Sequence, residues 1–143
     1  MPISLRSILA HVHSQFNWAL YAQRELQMIR NYLETEKQIQ NSAHDGIGSV
    51  ELYEIWSKSD FASSCDFIDR QIIPPNSTVG YHKHGNNEEM YIILEGSGTM
   101  TIDNQEVKIK KGDMIKNKPY GEHGLINDSD SDIELLIIQF SLD

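Results

Sequence analysis

From residue 49 to the end of the chain, apolar segments of four to nine residues alternate with turns of Gly, Asn, Asp and Ser, a spacing that fits a closed antiparallel β-structure. Strands are predicted at 50–56, 65–73, 79–84, 90–94, 98–102, 106–109, 113–117, 124–127 and 133–140. Asp103-Asn104 reads as a hairpin turn, and the run from Asn127 to Asp132 as a polar turn carrying three carboxylates. That run lacks the glycine and terminal glutamate of a calcium loop, so it is expected to be solvated. Cys65, the single cysteine, excludes an intramolecular disulfide and reads as a small buried hydrophobe in a strand.

The segment before these strands has a different period. Leu5, Ile8, Leu9, Val12, Phe16, Ala19, Ala22, Leu26, Ile29 and Leu33 recur every three or four positions, as on one face of a helix. One long helix, or two broken near Asn17, satisfies the pattern. A second stripe of Trp18, Tyr21, Met28 and Tyr32 widens the apolar arc, which calls for cover by the outer wall of the barrel or by a second subunit. The polar stretch Asn41 to Gly46 ends the helical part. The expected organisation is therefore a helical extension over residues 1–44 and a β-domain over 45–143.

A net charge of -9 argues against nucleic acid and anionic membrane surfaces as partners, because both would repel the chain. The helical part also lacks a basic recognition helix. No apolar run approaches membrane-spanning length, and the N-terminus lacks a signal-peptide core, so a cytoplasmic protein working on small molecules is expected.

Two stretches carry chemistry. In the first, Gly80 to Gly96, His82 and His84 stand two apart on a predicted strand, so their imidazoles share a face. The turn Gly85-Asn86-Asn87 then returns the chain so that Glu89 comes back beside them. The second, Gly112 to Asn127, adds His123. Three imidazoles and one carboxylate suit a borderline divalent ion, manganese or iron first and nickel, cobalt or zinc next, and six-coordination leaves two positions open. Glu88 competes with Glu89, since neighbours in a strand face opposite ways. His11 and His13 fall on different faces of a helix, and His44 reads as a solvated loop residue.

The two stretches resemble the paired motifs of the cupin superfamily. In the first motif His82, Lys83, His84, the four residues to Glu89 and the six to Gly96 all match, and this spacing favours Glu89 over Glu88. Asn76 stands where the family has a glycine, and asparagine tolerates the same left-handed backbone. In the second, Gly112, His123 and Asn127 keep the register, while Pro119 and Gly121 each come one residue late. The resemblance covers about residues 48–143. It implies an antiparallel jelly-roll barrel, here with an N-terminal helical extension, holding one metal in its mouth.

The resemblance further implies an enzyme acting on a small oxygen-bearing metabolite, by oxygenase or enolate-type lyase and isomerase chemistry, with non-catalytic ligand binding as the alternative. Glu89 argues against the thiol dioxygenases, which typically lack an acidic ligand. Tyr91, Glu88 and Gln139 are acid-base candidates, with Tyr81 and Glu122 also polar near predicted barrel positions. The apolar arc, and the need of sheets to protect their edges, predict a homodimer.

Overall fold

The computed structural model describes residues 28–142. The chain divides into two compact units, Met1–Asn31 and Tyr32–Asp143, and the description below concerns the second. Ten strands are present among the described residues: β1 (Gln38–Asn41), β2 (Ser49–Ser57), β3 (Cys65–Ile73), β4 (Thr78–Lys83), β5 (Asn87–Glu95), β6 (Ser97–Ile102), β7 (Gln105–Lys110), β8 (Met114–Asn117), β9 (Glu122–Ile126) and β10 (Ile133–Ser141). They form a six-stranded sheet in the order β1-β2-β3-β10-β5-β8 and a four-stranded sheet in the order β4-β9-β6-β7. The recorded strand pairings are antiparallel. The inner faces enclose Ile73, Ile93, Met100, Leu125, Ile133 and Leu135, all fully buried. Burial on this scale stabilises by about 1.5–3 kcal/mol per large aliphatic side chain.

Three local devices place the site. The turn after β3 runs Pro74-Pro75-Asn76-Ser77, with Ser77 N–H donating to the Pro74 carbonyl and Asn76 at φ 62, so Asn76 takes the left-handed backbone expected of it. Asn127, with no exposed surface, fastens that turn: its Nδ2 donates to the Ile73 and Ser131 carbonyls, and its carbonyl accepts from Asn76 N–H. Finally, β4 carries a bulge, because Val79 pairs with Leu125 and His82 with His123, so that Gly80-Tyr81 oppose Gly124 alone. The extra residue shifts the phase of β4 and turns Val79, His82 and His84 to the same inner side.

The helical extension requires correction. Its part from residue 1 to 27 lies outside the described residues, and its described remainder is turn and irregular backbone up to β1. There Met28, Ile29 and Leu33 are exposed, so the apolar pattern gains no burial to reward a helix. Gln38–Asn41, also counted in the extension, pairs with β2 as an edge strand. The nine strands expected from the sequence are all present, with ends shifted by up to three residues.

Candidate metal centre

His82 and His84 reach inward from β4 and the residue beyond it, His123 from β9, and Glu89 from β5 in the opposite sheet. The three imidazole Nε2 atoms meet: His82 to His84 at 3.2 Å, His84 to His123 at 2.7 Å and His123 to His82 at 3.1 Å. Glu89 Oε1 lies 3.4 Å from His123 Nε2 and 3.6 Å from His84 Nε2. All four residues predicted to gather are therefore together.

The ring tautomers follow from the outer partners. His82 Nδ1 lies 2.7 Å from the Gly80 carbonyl, and His84 Nδ1 lies 2.8 Å from Asn87 Oδ1. Both partners are acceptors, so Nδ1 carries the proton in each ring and Nε2 turns a bare lone pair to the centre. At most the His123 Nε2 bears a proton, and one proton cannot satisfy three nitrogens. Glu89 Oε1 is buried without a hydrogen-bond partner. Lone pairs and an orphaned carboxylate oxygen facing one point call for a cation. The spacings agree, since ligands about 2.1 Å from one ion and at right angles stand about 3 Å apart.

Burial sets the titration of these groups. It holds His123 down at about 3, helped by His82, His84 and His44, and it lowers His82 as well. It pushes the Glu89 carboxyl up to about 7, against the Tyr91 hydroxyl, which donates to it. Metal-free, the centre therefore holds neutral His123 and a carboxyl half-protonated near neutrality. A divalent ion reverses the second condition by favouring the carboxylate.

The centre opens on a cavity of ≈ 390 Å³ in the barrel mouth. Of the acid-base candidates, Gln139 lines it and its Nε2 donates to Asp66. Tyr91 lines it too, but is buried with its hydroxyl engaged by Glu89. Glu88 points away, its carboxylate 3.1 Å from Lys116 Nζ. Tyr81 and Glu122 hydrogen-bond each other on the exposed surface, at 3.0 Å.

Several site residues escaped the sequence reading. His44 is exposed, as expected, yet its ring also stacks on His82 with centroids 3.6 Å apart. A Cβ on Gly80 would stand 1.9 Å from the His44 carbonyl, so this close approach needs glycine. Asn87, which orients His84, shares a strand face with Glu89 two residues on, a signal that was available. Asp69 and Gln71 line the cavity from β3, and their place between buried Cys65 and Ile73 at every second position marks them as inward-facing.

A family profile described as the cupin domain matches residues 69–139. The oxalate-binding protein of Thermotoga maritima is 32% identical over 111 residues, covering 78% of this chain and 91% of that protein. This chain is a cupin. A solved structure described as a predicted oxalate decarboxylase from Thermotoga maritima shares 29% identity with this cupin at a TM-score of 0.78, covering 80% of this chain and 99% of the other. The polyketide cyclase RemF of Streptomyces resistomycificus shares the fold at 15% identity and a TM-score of 0.67, over 80% and 79% of the two chains. In this cupin the three-histidine group suits a divalent metal. No helix among the described residues is long and apolar enough to cross a membrane.

Proposed function

We propose that this cupin holds one divalent ion through His82, His84, Glu89 and His123 and acts on a small oxygen-bearing acid seated beside it. The observation that carries the reading is the meeting of three Nε2 atoms within 3.2 Å of one another, with the unpartnered Glu89 Oε1 alongside. When bound, the ion supplies a Lewis-acidic centre with open positions for a chelating ligand. Gly80 and Asn87 fix the rings that face it, and Tyr91 holds the carboxyl of Glu89 in place. Leu52, Phe67, Val79 and Ile137 give the cavity an apolar wall that limits water around the ligand. Oxygenase or enolate-type lyase and isomerase chemistry is the reading for the reaction, with manganese or iron as the ion.

A second reading, ligand binding without turnover, has support in the outward placement of Glu88 and the engagement of Tyr91, two of the acid-base candidates. The name of the Thermotoga maritima relative, an oxalate-binding protein, points the same way. The test loads the protein with manganese or iron and titrates oxalate, glycolate and pyruvate with and without dioxygen, following metal spectra and products. Spectral change with product supports the enzyme, and spectral change alone supports the binder. No change with any acid removes both readings. Edge strand β1, with Ile39 exposed, supports a homodimer, which light scattering would exclude by returning the single-chain mass at high micromolar concentration.

A further inference from the structure

Two side chains of the cavity take no part in gathering around the ion. Asp69 and Gln71 face inward from β3 and are only 9% and 4% exposed. Both line the cavity, and each has a buried oxygen, Asp69 Oδ1 and Gln71 Oε1, without a hydrogen-bond partner. Buried acceptors without donors are costly, and an apolar residue of similar size would cost the fold less. Their position is also informative. Asp69 pairs with Ile137 on β10, and Ile137 with Tyr91 on β5, so Asp69 stands two strands, about 10 Å, from the strand that carries Glu89. Ile137 of β10 lines the wall between them, and the cavity of ≈ 390 Å³ has room for more than a two-carbon diacid at the ion.

The charge of that far end is equally selective. Lys83 is the one lysine or arginine among the described lining residues, and alternation turns its exposed side chain away from the face that carries His82 and His84. A second carboxylate there would meet Asp69 with no inward-facing cation, so the two carboxyls would have to share a proton or repel. Burial, then Glu54 and Glu89, push the Asp69 carboxyl up to about 7, which fits a carboxyl that no donor faces in the protein itself.

We propose that Asp69 and Gln71 determine specificity, accepting hydrogen bonds from hydroxyl groups at the far end of a polyhydroxylated monocarboxylic acid of about four to six carbons whose carboxylate end lies at the metal centre. The inference rests on the chelate reading above, and adds which acid the cavity takes. Asp69 and Gln71 are recognition residues here, and the metal centre keeps its role without them.

The test uses manganese-loaded wild-type protein and the variants Asp69→Leu, Gln71→Leu and their combination, titrated calorimetrically with gluconate, 2-hydroxyhexanoate and oxalate. Gluconate and 2-hydroxyhexanoate have the same chain length and differ in their hydroxyl groups. In wild type, gluconate is expected to bind about tenfold tighter or more than 2-hydroxyhexanoate, as two added hydrogen bonds imply. The combined variant should remove the preference for gluconate, with metal content and the affinity for oxalate unchanged and that for the apolar tail of 2-hydroxyhexanoate no weaker. Its melting temperature should rise by about a few degrees, because unpartnered buried acceptors have gone, whereas a structural role predicts a fall. Equal binding of the two six-carbon acids by wild type, or variants that melt earlier and lose metal, overturns the inference while the chelate reading stands. If none of the three acids binds the loaded protein, the chelate reading itself fails and takes the inference with it.

Discussion

The β4 side of the site has its rings tied down, whereas β3 across the cavity leaves polar atoms without partners. His82 and His84 are each fixed through Nδ1, to Gly80 and Asn87, and in the four-stranded sheet only His123 Nδ1 is a buried side-chain atom without a partner among the described residues. In the six-stranded sheet Asp69, Gln71, Glu89 and Asn117 all bury unpartnered polar atoms. Two of the three rings are thus oriented in advance, while Asp69 Oδ1, Gln71 Oε1 and Glu89 Oε1 have no donor facing them. Two tasks are divided within one cavity: Gly80 and Asn87, one from each sheet, hold the His82 and His84 rings in place, and Asp69 and Gln71 line the space beyond them.

The sharpest way to break this division is to remove a ring. His84→Ala or His123→Ala should weaken metal binding by about 100-fold or more, since each deletes one of four donors from a preformed site. Elemental analysis after exchange against a chelator measures it, and unchanged metal content would dissolve the centre as described. Asn87→Ala leaves the donors but frees the His84 ring, and should cost about 10- to 100-fold in metal affinity by the same assay.

Protons sharpen the contribution of the other sheet. Burial raises Glu89 to about 7, so below that pH an arriving ion must displace a proton from the carboxyl, and above it none. Affinity is expected to fall by about tenfold per pH unit below about 7 and to level off above, with His123 adding no competition because it is held near 3. Glu89→Gln should remove the break near pH 7, and calorimetry in buffers of different protonation enthalpy counts the proton released. The smallest effect belongs outside the cavity. Lys116→Ala breaks the half-exposed pair with Glu88, and should shift stability by about 0.5 kcal/mol or less with metal affinity unchanged, as thermal melts and metal titration can show.

Much of this was legible in the chain because period-two patterning and turn residues act locally. Cys65–Ile73 is a strand with the expected ends, and His82, His84, Glu89 and His123 meet as their spacing implied. What escaped depends on contacts distant in sequence or on polar residues in core phase. His44 reaches His82 only because Gly80 lets its backbone approach, and no local pattern encodes that stack. Asp69 and Gln71 did lie in the inward phase of a correctly expected strand, but their polarity masked it. The expected helix is absent over residues 28–33, where Met28, Ile29 and Leu33 stay exposed.

The bulge at Gly80-Tyr81 has a consequence for how the barrel closes. Paired without it, β4 would carry Val79 inward and His82 outward, and the rings would never meet. An ion captured by all three rings is therefore bound only by chains whose strands closed in the right phase. At a free concentration about a hundred times its Kd it would favour that closure by about 2.7 kcal/mol, so the supply of the metal during folding would act as a selector among competing pairings.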